Sequence, residues 1–346
     1  MKKILVLIMS AALMAGSLLA CGSNEPKSDG EDKLQIVTTI FPEYDWVMNI
    51  LGDNAENAEV TMLLDNGVDL HSYQPTTDDI LKISTCDMFV YVGGESDEWV
   101  EDALKEATNK DMVVINLLDV LGDTVKEEEV VEGMQGEDEE HEHGESDADD
   151  DDDGDKESEE HEDEEEEVEY DEHVWLSLRN AVTLVEKISD EIQKIDNENA
   201  DAYKANTTAY VEELNELDNK YSDVVSNASV KTVLFGDRFP FRYLVDDYNL
   251  TYYAAFVGCS AETEASFETI TFLANKVDEL SLGTVLTIEG TEHKIAETIV
   301  ENTSDKNMQI LTMDSLQSTT SEDVKNGTTY LGVMEKNLEV LGEALK

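Results

Sequence analysis

Apolar residues along this chain fall into short β-branched runs that alternate with helically spaced stretches, and the whole series occurs twice. The first series opens with Leu34-Gln35-Ile36-Val37-Thr38-Thr39-Ile40, a strand by its β-branched content. The spacing then predicts a helix over 43–51, opened by Pro42, and a strand over 58–64. A helix over 77–85, a strand over 88–92 closed by Gly93-Gly94, a helix over 98–107 and a strand over 112–117 follow. The second series predicts strands over 231–235, 252–257, 283–288 and 308–312, with helices over 241–248, 266–280 and 294–302 between them. Thr263 or Ser266 would cap the middle helix, and an amphipathic helical stretch over 321–346 closes the chain.

Between the two series, 180–227 contains no Pro or Gly. Its apolar residues recur at three- and four-residue steps through Val182, Val185, Ile188, Ile192 and Ile195, pause at Asp196-Asn197, and resume through Tyr203, Tyr210, Leu214, Leu217 and Tyr221. This predicts two helices, the second about thirty residues long, or roughly 45 Å. Alternating strands and helices require parallel sheets, because each helix carries the chain back to start the next strand in the same direction. The expected fold class is therefore α/β. Two lobes, each with a four-stranded parallel sheet flanked by helices, are joined by a long rigid helix that limits hinge motion.

The N-terminus changes the picture. Lys2 and Lys3 precede an apolar stretch that ends at Leu18-Leu19-Ala20-Cys21, which resembles a bacterial lipobox. Residues 1–20 then read as a signal peptide rather than a membrane span, and Cys21 as the lipidated residue. Residues 21–32 read as a polar tether. The protein is expected to be extracytoplasmic and anchored to the outer face of the cell membrane. About 315 of the 346 residues remain, enough for two domains.

The formal net charge of −59 argues against nucleic acid as a partner and favours cations. Much of that charge sits in one insertion, since 137–172 holds 25 Asp or Glu residues and a single Lys. The organisation expected is an N-terminal lobe over 33–126, a disordered acidic loop over 127–172, a helix over 173–196 completing that lobe, a linking helix over 197–227 and a C-terminal lobe over 228–346. Cys86 and Cys259 lie near different strands in different halves, and are expected as two separate, mostly buried thiols rather than a disulfide.

Four polar signals follow strand-like runs: His71, His173, the Gly236-Asp237-Arg238 turn, and the stretch from Glu289 to His293. Imidazole and carboxylate ligands at strand ends suit a transition-metal site. His71 alone would pass for a surface loop histidine. His173, where the apolar pattern resumes beside Trp175, is placed to be dry and oriented.

Three stretches carry a resemblance to a known family: Val37-Thr38-Thr39-Ile40-Phe41-Pro42, the run from Gly67 to Pro75, and Glu172-His173-Val174-Trp175-Leu176. They resemble the metal-binding solute receptors of zinc and manganese ABC importers, the high-affinity zinc-uptake receptor type, and the likeness covers nearly all of 33–346. It implies metal bound in the cleft between the lobes, with His71 and His173 as ligands, and delivery to an ABC transporter permease subunit by a monomeric receptor.

In the second lobe the family usually supplies a His or Glu after the first strand. Here Asp237 is the nearest candidate, and it could instead pair with Arg238 or Arg242 or cap a helix. His293 falls where the family's last carboxylate often stands, with Glu289 as its rival. Three imidazoles and a carboxylate favour zinc, whereas two histidines with Asp237 and Glu289 would readmit manganese. The resemblance also places an acid-rich loop here, bearing His141, His143 and His161, which would act either as a low-affinity metal antenna or as a solubilising spacer. No H-E-x-x-H occurs, so a metal-dependent hydrolase is not expected. A surface adhesin lipoprotein remains the alternative from another class.

Overall fold

The computed structural model describes residues 33–136, 169–260, 264–290 and 293–346. Two sheets form, and their topology is the same. In the first, β1 (Leu34–Thr38), β2 (Ala58–Met62), β3 (Met88–Tyr91) and β4 (Val113–Asn116) lie in the order β2-β1-β3-β4. In the second, β5 (Thr232–Phe239), β6 (Thr251–Val257), β7 (Thr284–Thr287) and β8 (Gln309–Thr312) lie in the order β6-β5-β7-β8. Every pairing is parallel, as the alternation predicts. The order reverses beside β1 and beside β5, and such switch points open a crevice at the carboxyl ends of the strands.

Helices α1 (Phe41–Leu51), α2 (Thr77–Thr85), α3 (Trp99–Lys105) and α4 (Leu117–Leu121) serve the first sheet. Thr76 caps α2, accepting from Asp79 N at 3.2 Å while its own N–H donates to Asp79 Oδ2 at 2.9 Å. Helix α5 (Leu178–Ile195) starts at Ser177, whose Oγ accepts from Asn180 N at 3.0 Å. Its Leu184, Val185, Ile188 and Ile192 are fully buried, each contributing about 1.5–3 kcal/mol.

The predicted strut is α6 (Ala200–Asn227), 28 residues and so about 42 Å long. It packs along α5, α1 and the last helix, α11 (Tyr330–Ala344). Between them lie α7 (Arg242–Asp247), α8 (Phe267–Leu280), α9 (Lys294–Asn302) and α10 (Ser321–Lys325). Ser266 caps α8, accepting from Thr269 N at 3.0 Å.

Four expectations need correction. Gly236-Asp237-Arg238 is not a turn after the strand but part of β5, where the pairing with β6 shifts register between Phe235 and Arg238. The predicted final helix over 321–346 is two helices, α10 and α11, because Gly327 takes a φ of +96° between them. The acidic loop is narrower than 127–172. Glu128 N donates to Glu169 O at 3.0 Å and Gln135 N to Ala255 O at 3.0 Å, so the backbone on both flanks is paired. Met134 is buried there and anchors one flank. Finally, α11 is not confined to the second lobe. Tyr330 donates to Trp175 O at 2.6 Å, and its ring meets Trp46 edge-on at 5.3 Å. The expected signal peptide, the expected tether with Cys21, and His141, His143 and His161 lie outside the described residues. Among the described residues no helix is long and apolar enough to cross a membrane.

Candidate metal centre

His71 sits in a single 3-10 turn, Leu70–Ser72, in the loop after β2. Asp69 caps that turn, its Oδ1 accepting from His71 N at 3.0 Å. Asp69 is itself paired across the lobes with the Arg238 guanidinium, which pins the loop from the far side. His173 starts another 3-10 turn, Val174–Leu176, and is fully buried. Asp171 Oδ1 accepts from His173 N at 2.9 Å. Trp175 packs beside it, ring centroids 5.2 Å apart, and donates its indole N–H to Ser315 O at 2.8 Å.

The two imidazoles face each other through Nε2, 3.2 Å apart. Each Nδ1 is held on the opposite side. His173 Nδ1 lies 3.0 Å from Asp171 Oδ1, a carboxylate that can only accept, so the proton belongs on Nδ1. His71 Nδ1 lies 2.8 Å from Ser96 Oγ and 3.4 Å from Glu172 Oε2. Ser96 in turn is tied to Glu172, donating its N–H to Oε1 at 2.9 Å. With both protons on Nδ1, two lone pairs point into one gap. Two nitrogens bound at 2.0–2.1 Å to one tetrahedral zinc lie about 3.3 Å apart, so the gap already has the bite of a shared ion. Carboxylates behind metal-binding imidazoles are the usual way to fix ring orientation and raise basicity.

Burial, and then the facing His173, push the His71 imidazole down to about 3, against the pull of Asp69. Protons therefore compete for His71 only in more acid solution than for an exposed histidine. Burial also pushes Glu172 up. Gly94 has to be glycine here: its φ is +82°, and a Cβ would fall 2.3 Å from Glu172 Oε1.

A thiol that the sequence did not single out as a site residue lies near the two rings. Cys259 Sγ lies with a nitrogen of each histidine in a cluster whose atoms are all within 4.8 Å of one another. It comes from the loop after β6. Gly258 permits the approach, because a Cβ there would meet His173 Cε1 at 3.0 Å and Phe239 O at 2.9 Å. Glu128 Oε1 accepts from Cys259 N at 3.0 Å. The thiol is pushed up by burial and by Glu128, Asp171 and Glu172. Cys86 is a separate buried thiol in the first lobe, so the expectation of two unpaired cysteines agrees with the structure. A cavity of about 270 Å³ opens beside the cluster, with Glu95, Glu128, Glu169 and Glu172 on its walls together with His71 and Cys259.

The other sequence candidates do not enter that cluster. Asp237 sits in the β5 bulge, where Oδ1 accepts from Arg238 N at 2.9 Å and Oδ2 from Ile288 N at 3.3 Å. His293 lies at the start of α9, close enough for its charge to bear on Asp237, and its Nδ1 is buried without a partner among the described residues. Glu289 holds the 315–318 loop, accepting from Ser315 N at 2.7 Å, Ser315 Oγ at 2.5 Å and Ser318 Oγ at 3.3 Å. Both carboxylate oxygens thus tie the 315–318 loop to the end of the strand before Glu289.

Comparison with known proteins adds an independent line. The family described as "Zinc-uptake complex component A periplasmic" matches residues 36–344. The "Zinc-binding protein AdcA" of Streptococcus pyogenes is 30% identical over 345 residues, covering 99% of this chain but only 61% of that relative's length. The "High-affinity zinc uptake system protein ZnuA" of Bacillus subtilis is 29% identical over 329 residues, covering 94% of this chain and 93% of the relative. Among solved structures, the Zn(II)-bound ZnuA-like domain of Streptococcus pneumoniae AdcA superposes with a TM-score of 0.66 at 27% identity, covering 90% of this chain and 99% of that one.

Proposed function

The chain belongs to the periplasmic zinc-uptake component A family, and from that premise we propose that it is an extracytoplasmic receptor that captures one zinc ion between its lobes. It then hands the ion to the permease of an ABC importer. The observation that carries the reading is the 3.2 Å approach of the His71 and His173 Nε2 atoms with each Nδ1 held from behind. Such a pair needs little rearrangement to take a cation, and imidazole suits zinc better than the oxygen-preferring manganese. The chain's −59 charge and the glutamates beside the cluster draw cations in, and the histidines select among them. Asp237 and His293 are the second lobe's candidate ligands, the latter with a buried Nδ1 that has no partner among the described residues. Lipid on Cys21 would hold the receptor at the outer membrane face, where the permease can be reached. The likeness to relatives named as zinc-binding proteins agrees with this reading.

Native mass spectrometry with metal analysis tests it on the protein as isolated. One zinc per chain, retained against excess manganese, supports the proposal. A chain that carries no tightly held zinc, or exchanges it freely for manganese, refutes it. Radiolabelled fatty-acid incorporation, abolished by Cys21→Ser, tests the anchor separately.

A further inference from the structure

We infer that Arg238 is a positioning residue for His71: from the second lobe it holds the His71 turn through Asp69, and so makes retention of the ion depend on how the lobes are apposed. The inference rests on the capture reading and goes beyond it, because it gives a role to a side chain that cannot itself bind a cation. Three observations converge. The Arg238 guanidinium donates through Nη2 to Asp69 Oδ2, and Asp69 Oδ1 accepts from His71 N at 3.0 Å. One carboxylate thus links a second-lobe side chain to the backbone of a first-lobe ligand. The bulge that aims Arg238 across the cleft is fixed rather than incidental. There β5 shifts register between Phe235 and Arg238, Asp237 Oδ1 accepts from Arg238 N at 2.9 Å, and a Cβ on Gly236 would fall 2.5 Å from Ala296 Cα. The second lobe also holds the other end of the His71 loop, where Ser321 N donates to Asp65 O at 2.9 Å and Ser321 Oγ to Asp65 Oδ2 at 3.2 Å.

Two effects of Arg238 oppose each other. Its guanidinium is always protonated, so its charge repels an incoming cation. Its hold on Asp69 fixes the turn that presents His71, and the pair must break before the lobes part. Seen from the ion, the guanidinium and carboxylate charges offset each other, so little repulsion remains, whereas the positioning is not offset by anything. The two side chains are 20% and 23% exposed, so solvent screens the pair only in part. Truncating one member of such a pair acts mainly on the rate of dissociation. The link therefore shows in how long the ion is kept more than in how fast it is captured.

A double-mutant cycle in the full chain tests the assignment, read as stopped-flow release of zinc into excess chelator. Asp69→Asn keeps an oxygen for the His71 N–H, so it removes the ion pair and leaves the cap. Asp69→Asn and Arg238→Gln should each release zinc at least about tenfold faster than wild type. The double variant should be no more than about threefold faster than either single one, since both substitutions break the same link. Arg238→Lys, which keeps the charge, should return release to within about threefold of wild type. Lys126→Gln breaks a cross-lobe pair with Asp246 that does not touch the His71 turn, and should leave release within about threefold. Single effects that multiply in the double variant, or Lys126→Gln matching Arg238→Gln, overturn the positioning role. So does Arg238→Gln releasing zinc no faster than wild type. If Arg238→Gln fails to fold, Asp69→Asn decides alone, since release at the wild-type rate overturns the link. A wild-type chain that holds no zinc overturns the capture reading as well, whereas one that holds zinc beside unaffected variants overturns this inference only.

Discussion

In the first lobe, the loops at the strand ends present His71 and His173, each with its Nδ1 held by a hydroxyl or carboxylate behind it. In the second lobe, the corresponding strand ends present Asp237 and Glu289, and both are engaged in holding the lobe's own backbone. The sheets that carry these loops have the same strand order and the same parallel sense. Equal topology therefore does not give equal chemistry. The first-lobe imidazoles face each other with no backbone partner among the described residues, whereas the second-lobe carboxylates accept from backbone N–H groups. The first lobe satisfies its loop backbone with Asp69 and Asp171, which frees the imidazoles. The second satisfies its loops with the candidate carboxylates themselves.

The sharpest way to break this comparison is to remove one residue from each side. His173→Ala or His71→Ala should weaken zinc binding by more than the roughly 100-fold that loss of an outer partner causes. Asp237→Ala and His293→Ala should each cost far less, as measured by competition with a chelator of known affinity. Equal losses on the two sides would erase the asymmetry.

The next largest effect belongs to the groups behind the imidazoles. Asp171→Ala should raise the zinc Kd about 10- to 100-fold, because His173 Nδ1 loses its fixed acceptor. Titration calorimetry of the folded variant reads this directly, and an unchanged affinity would deny the carboxylate its orienting role.

A smaller effect separates stability from binding. Glu289→Ala should destabilise the protein by about 1–3 kcal/mol, through the donors it leaves unpaired on Ser315 and Ser318. Zinc affinity should stay within a few-fold. Denaturant unfolding beside the calorimetry checks both halves, and a large drop in affinity would restore Glu289 as a ligand.

The first lobe's acids should show in its pH dependence. Burial and the Glu172 charge push Asp97 up from 3.8 to about 7, although Gly93 N donates to it at 3.0 Å. The folded state thus binds this proton more tightly than the unfolded state. Its contribution to stability is fully present below about pH 4 and is lost as pH rises to about 7, by at most about 4 kcal/mol for the full shift. Asp97→Asn should remove that slope and gain stability over wild type at pH 8 relative to pH 5. Parallel unfolding curves at both pH values would contradict it.

The fold was readable because its signals are local. β-branched runs, a cap such as Ser266, and the Pro- and Gly-free strut each announce an element within a few residues. His71 and His173 were readable through the motifs around them. The nearness of Cys259 to the rings was not, because it depends on a tertiary contact: the loop after β6 can lie against His173 only where residue 258 lacks a side chain. Nothing near Cys259 in the chain reports that neighbour. The fate of Asp237 was hidden for a related reason. A register shift in β5, set by pairing with β6, turns an expected loop residue into a bulge residue. The paired flanks of the acidic loop leave no mark in composition, which reports charge, because the pairing of Gln135 with Ala255 is made by backbone alone.

The most direct test of the account is a crystal structure of the zinc-loaded protein with anomalous scattering at the zinc edge. The account predicts a single strong peak 2.0–2.1 Å from both the His71 and the His173 Nε2 atoms. A peak among the glutamates of the neighbouring cavity, with the two imidazoles still facing each other unliganded, would contradict it.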